Sequence, residues 1–224
     1  VSVILVFFST KPIKPQRPRD ETRLLDFRPV LQNRETMGFI FAYCTHSWEL
    51  FAMRSWLVAF LTFCSTMHVS GQIFLAPTAV ATIGALVAMC ASIGGNELAE
   101  RYGRRQMVII FSTCSGLFAL CIGFFAILPY WIVIIMAIAY AALIQLDSAA
   151  LTAGALMSAE EGRRGMTLGL HALIGFGGGA VGPLVLGLIL DFSGGGVDNM
   201  SWGVAFASIG LISLLGPFLL WKLK

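Results

Sequence analysis

Apolar positions along the chain gather into six long runs, approximately Met37 to Phe63, Gln72 to Gly94, Met107 to Leu128, Tyr130 to Met157, Thr167 to Leu190 and Trp202 to Trp221. About 20 apolar residues span a bilayer as a helix, so the pattern predicts an all-α membrane protein built as a six-transmembrane-helix bundle over residues 37–224. A further apolar stretch, Val1 to Phe8, is too short to cross and has its basic residues after it, the reverse of a signal peptide. Residues 1–9 therefore read as the end of a transmembrane helix whose beginning lies upstream. Residues 10–36 mix four prolines with seven basic and four acidic residues, which predicts a cytoplasmic linker with a short surface helix near Leu24 to Phe27.

The charges orient these spans. Seven basic residues precede the first span, Arg101, Arg104 and Arg105 follow the second, Arg163 and Arg164 follow the fourth, and Lys222 and Lys224 follow the last. The connections at 64–71, 128–129 and 191–201 hold none. Because short cytoplasmic connections carry the excess of Lys and Arg, this alternation predicts an integral protein of the cytoplasmic or plasma membrane with both ends in the cytoplasm. The net charge of +3 then reflects orientation in a lipid bilayer, and nothing in it points to nucleic acid. A hydrophobic content of 57% against 12% charged leaves too little polar surface to cover a soluble core.

Three charges remain inside the apolar runs. Arg54 is the only one of the fifteen Lys and Arg residues within a span, and Glu49 and Asp147 are placed near mid-depth. An ionisable group in hydrocarbon costs about 2.5–3.5 kcal/mol on insertion scales, so it persists where a partner, water or a solute receives it. At about 100° per residue, His46, Glu49 and Met53 share a face of the first span, with Arg54 about 80° round from His46. Asp147 shares a face of the fourth span with Tyr140, seven residues earlier. His46, Glu49, Arg54, Tyr140 and Asp147 are thus the candidates for substrate binding or proton coupling. The alternative is a fixed polar network that only specifies packing.

The connection after the second span reads Asn96-Glu97-Leu98-Ala99-Glu100-Arg101-Tyr102-Gly103-Arg104-Arg105. Gly103 suits the positive φ of a very short turn, and the arginines suit headgroup anchoring and pairing with Glu100. The stretch resembles the cytoplasmic signature Gly-x-Leu-Ala-Asp-Arg-x-Gly-Arg-Lys/Arg of the major facilitator superfamily. Leu98, Ala99, Arg101, Gly103, Arg104 and Arg105 match it, Asn96 replaces its first glycine and Glu100 its aspartate. The resemblance implies a six-helix bundle equivalent to helices seven to twelve of that fold, whose partner would be an N-terminal six-helix half. It also implies that the first and fourth spans line a central cavity for a small-molecule substrate, and that residues 98–105 form a cytoplasmic gating motif.

The fifth span carries Gly175, Gly178, Gly179, Gly182 and Pro183. Small residues four apart let helices approach closely, and a proline can kink a helix, so the run suits either tight packing or bending during transport. A dinucleotide reading of these glycines lacks the strand it needs. Five cysteines lack any CxxC or Cys/His ligand spacing, so no metal and no cofactor is expected. HExxH, GxSxG and Walker A patterns are absent, and an enzyme is not expected. The expectation is a secondary transporter working by alternating access and coupled to protons; the alternatives are a receptor or scaffold of the same fold, or a membrane enzyme.

Overall fold

The structure, a computed structural model, describes residues 8, 26–67 and 75–223. Of the predicted helix end at 1–9 all but residue 8, and of the predicted linker at 10–36 residues 10–25, lie outside the described residues. Those described are helical and contain no strand. In chain order the helices are α1 (Arg28–Gln32), α2 (Arg34–Thr66), α3 (Pro77–Tyr102), α4 (Arg104–Ile122) with a 3-10 extension (Gly123–Ile127), α5 (Tyr130–Gln145), α6 (Ser148–Met157), α7 (Arg164–Phe192), α8 (Asn199–Ser213) and α9 (Leu215–Lys222). Five stretches are long and apolar enough to cross a membrane: α3, α4 with its extension, α5 with α6, α7, and α8 with α9. The protein is therefore a membrane-embedded helical bundle. At 33 residues α2 is the longest helix, yet it is not among the five; it carries His46, Glu49 and Arg54.

Local chemistry accounts for the boundaries. Pro29 occupies the first turn of α1, where a missing N–H costs nothing; of the short helix expected near Leu24 to Phe27, Asp26 and Phe27 are not helical and the rest lies outside the described residues. Asn33 caps α2 by accepting from the Thr36 N–H at 3.1 Å. The polar motif after the second span is itself helical: α3 runs on through Tyr102, and Gly103, at φ +101°, is the whole turn to α4. The expected single helices over 130–157 and 202–221 are each interrupted. Leu146 and Asp147 separate α5 from α6, where the Asp147 carboxyl turns to side chains of other helices. Leu214 separates α8 from α9, where Pro217 has no N–H for the Ser213 carbonyl four residues back.

The clusters of basic residues share one end of the bundle. Arg105 donates to the carbonyls of Leu220 and Leu223, tying the start of α4 to the end of α9. Asn33 and Thr36 donate to the Ser158 carbonyl at 2.9 and 3.0 Å, tying the start of α2 to the end of α6. At the opposite end, Asn199 donates to the Phe124 carbonyl at 3.0 Å and Tyr130 to that of Leu75 at 3.2 Å.

The glycine run on α7 is a packing seam. A Cβ on Gly178 would meet the Cys44 carbonyl oxygen at 2.5 Å, and one on Gly182 would fall on the Trp48 carbonyl. Gly175 and Gly179 lie under the rings of Tyr43 and Phe51. Without these glycines α7 could not lie against the bare backbone of α2. Trp56 closes the seam by donating its indole N–H to the Pro183 carbonyl at 3.0 Å.

Candidate functional site

Inside the bundle, α2, α4, α5, α6 and α8 enclose a polar cluster. Asp147 stands at the break between α5 and α6, where a carboxyl can leave its own helix and reach two neighbours. One oxygen lies 2.7 Å from His46 Nδ1 on α2, an ion-pair distance, and the other accepts a hydrogen bond from Ser112 on α4. Gly95 of α3 lets this break sit deep in the bundle, since a Cβ there would fall on the Leu146 carbonyl. One turn beyond His46, the Glu49 carboxyl accepts from Ser115 on α4 at 3.2 Å. The hydroxyls of Tyr140 on α5 and Ser213 on α8 also face it.

His46, Glu49, Tyr140 and Asp147 are all buried, at 5% exposure or less. Taking two carboxylates and an imidazole out of water costs several kcal/mol per charge unless partners repay it. Here repayment is incomplete. His46 Nε2, Glu49 Oε1 and Tyr140 Oη are buried without an aligned hydrogen bond among the described residues, and Asp147 Oδ1 has the His46 contact alone. Each group left unsatisfied costs about 1–3 kcal/mol, so their concentration here calls for an explanation.

A second imidazole extends the cluster towards the basic end. The His171 ring on α7 stacks on Tyr43 with centroids 3.9 Å apart, and Tyr43 in turn stacks on His46 at 5.8 Å. Thr152 Oγ1 lies 3.3 Å from His171 Nε2. Away from the basic end, Phe60, Trp202 and Phe206 fill the core above Glu49 and Met53.

The structure thus brings together four of the five predicted intramembrane residues. It separates the fifth: Arg54 is exposed and makes no ion pair or hydrogen bond among the described residues. Arg54 pairs with neither Glu49 nor Asp147: His46 stands against Asp147, and Ser115 donates to Glu49. Arg54 borders a cleft of about 50 Å³ walled by Leu50, Met53, Leu57 and the alanines Ala81, Ala85, Ala88 and Ala141. Ser112, Ser115, Ser213, Tyr43, Thr152 and His171 are not among the residues that the sequence pattern singles out. The spacing Ser112-x-x-Ser115 within an apolar span was the available signal, since it puts two hydroxyls on one helix face.

At the turn, Arg104 pairs with Glu100 at 3.3 Å and donates to Asn96 at 2.8 Å, while Asn96 donates to Glu100 at 3.2 Å. The two positions that depart from the signature, Asn96 and Glu100, are the ones that receive Arg104. Arg101 lies over the Tyr102 ring at 5.5 Å. Leu98 is exposed and Ala99 is buried. No group of three or more metal-ligating side chains is found among the described residues. No family model and no curated protein matches the chain.

Proposed function

We propose that this chain is the C-terminal six-helix half of a major facilitator-type secondary transporter that moves a small solute by alternating access, with protons as the coupling ion. The observation that carries the reading is the buried His46–Asp147 pair, 2.7 Å apart at a helix break, with Glu49 one turn away. Interrupted helices with buried ionisable groups at mid-depth suit solute and ion sites, because the polar backbone and side chains there face protein rather than lipid. In this reading α2 supplies the sixth span despite its polar content, and α2 and α5–α6 line the pathway. His46 and Asp147 share a proton whose position follows the conformation; Glu49 and Tyr140 form the adjoining part of the site. The exposed Arg54 turns to the second half and the solute, and the Asn96 to Arg105 turn latches the cytoplasmic side.

The test uses the complete protein in proteoliposomes, with a pH-sensitive dye inside and a panel of solutes outside. Asp147→Asn is expected to abolish proton-driven accumulation while leaving counterflow exchange of the same solute. Arg54→Gln should lower exchange itself without affecting yield. Proton coupling unchanged in Asp147→Asn removes the pair from the mechanism, and a complete protein that moves no solute is a receptor or scaffold instead.

A further inference from the structure

At the basic end, the start of α4 and the end of α9 enclose an open groove of about 530 Å³. Its rim is Arg104, Arg105 and Gln106, and its floor is Ile109, Ile110 and Trp221. Ile110 lies six residues along α4 from Arg104, about 9 Å down the helix axis. Charge therefore gives way to hydrocarbon-like surface over the length that separates a lipid phosphate from the upper part of its acyl chains. Trp221, 63% exposed, stands at that boundary, and Ile110 and Phe218 continue the apolar surface below it.

The cations here outnumber their partners. Arg105 is held by backbone carbonyls, which leave its charge uncancelled, and Arg104 shares one carboxylate, Glu100. Arg101 has only the Tyr102 ring, and Lys222, at the end of α9, makes no ion pair among the described residues. Four cations at this end thus stand against three carboxylates, Glu97, Glu100 and Glu35, the last lining a neighbouring pocket with Arg104 and Arg105. A zwitterionic headgroup would leave this excess unanswered, and an anionic one would not. We propose that the groove binds one phospholipid with an anionic headgroup, its phosphate at Arg104 and Lys222 and an acyl chain along Ile110 and Trp221. By bridging the α3–α4 turn to α9, the lipid stabilises the contact that Arg105 makes through the Leu220 and Leu223 carbonyls. The proposal stands apart from the buried cluster and does not depend on transport.

The test is quenching of Trp221 fluorescence in the complete protein, reconstituted in phosphatidylcholine vesicles containing a minority of either brominated phosphatidylglycerol or brominated phosphatidylcholine. Subtracting the Trp221→Phe variant isolates the signal of this indole. A cation near the surface is worth about 1 kcal/mol towards an anionic lipid, so phosphatidylglycerol should be preferred by about fivefold or more. Lys222→Gln, which breaks no ion pair among the described residues, should reduce that preference, and Arg104→Gln with Lys222→Gln should bring it close to unity. Arg164→Gln, at the other basic connection of the same end, should leave it unchanged. Equal quenching by the two lipids would mean a zwitterionic occupant, and quenching by neither would mean a protein segment covers the groove; each outcome overturns the proposal. So does an equal loss in Arg164→Gln, which would assign the preference to the general surface potential.

Discussion

Two levels of the same bundle, about ten residues apart along α2, are built on opposite principles. Around His46 and Glu49 the helices meet through hydroxyls, carboxyls and imidazoles, several of them with bonding capacity to spare. Around Phe60 they meet through rings: Phe60 lies 5.4 Å from Trp202 and 5.1 Å from Phe206, and Trp56 stands edge-on to Trp202 at 6.4 Å. At the aromatic level the Trp202 indole N–H has the Gly196 carbonyl at 2.9 Å, and fewer buried polar atoms, Trp48 Nε1 and Asn199 Oδ1, go without a partner among the described residues. The comparison teaches where this molecule concentrates its unspent bonding capacity. A stable plug needs every polar group paired, whereas a site that takes up and releases protons needs groups whose partners can change.

The seam between α7 and α2 serves both levels, so its disruption has the largest expected effect. Leu in place of Gly182 would drive a side chain into the Trp48 backbone, and a backbone cannot swing aside as a side chain can. Gly182→Leu should cost more than the roughly 1–3 kcal/mol usual for overpacking and remove most of the monodisperse protein. Gly177 lies on the same helix with open space where a Cβ would go. Gly177→Leu should therefore leave yield and Tm close to wild type; comparable losses in both variants would show that α7 tolerates no added bulk anywhere and that the seam is not special.

Next in size is the plug itself. Phe60 is fully buried, and removing its ring costs two aromatic contacts and leaves a cavity. Phe60→Ala should lower stability by about 3 kcal/mol, read as a fall in Tm in detergent. The contrast with the polar level lies in the kind of loss. Under the proposed function, Phe60→Ala should let protons leak without solute, whereas Asp147→Asn should uncouple transport without lowering Tm comparably. A Phe60→Ala protein as proton-tight as wild type would mean that the aromatic level is packing alone.

Much of this was legible in the sequence because lipid leaves few options: apolar runs of span length must be helices, and the position of each run follows from hydropathy alone. Grouping His46 with Glu49, and Tyr140 with Asp147, needed only helical periodicity. The interruptions at Asp147 and Leu214 were not legible, because an apolar run reads the same whether its helix is continuous or broken. Partner choice was also hidden. Arg54 was the obvious counter-charge for Asp147 by type, but His46 occupies that place, and nothing in one helix's periodicity reports how it is rotated against its neighbours. The glycines of α7 allowed packing or bending, and only the Cys44 and Trp48 carbonyls lying against them show that they pack.

The smallest expected effect concerns the loop that roofs the aromatic level. Asp198 caps α8, accepting from the Ser201 hydroxyl and the Ser201 N–H, each at 2.7 Å. These bonds, the hydroxyl first, hold its carboxyl below the usual carboxylate range. A carboxyl whose pKa is lower folded than unfolded contributes stability above its unfolded value, and the contribution disappears as pH falls through the folded one. Acidification should therefore loosen the start of α8 and, through the Gly196 carbonyl next to it, the anchor of Trp202. Because Asp198 is fully exposed, solvent screens the effect and the bundle as a whole should not respond. Amide hydrogen exchange at Ser201, corrected for its intrinsic pH dependence, should rise on acidification in the wild-type chain and stay level in Asp198→Asn. Among the described residues the polar level around His46 and Asp147 shares no hydrogen bond with this loop, so its amides should show no change tied to Asp198. If Asp198→Asn altered exchange at both levels alike, the aromatic plug and the polar site would have to be treated as one cooperative unit.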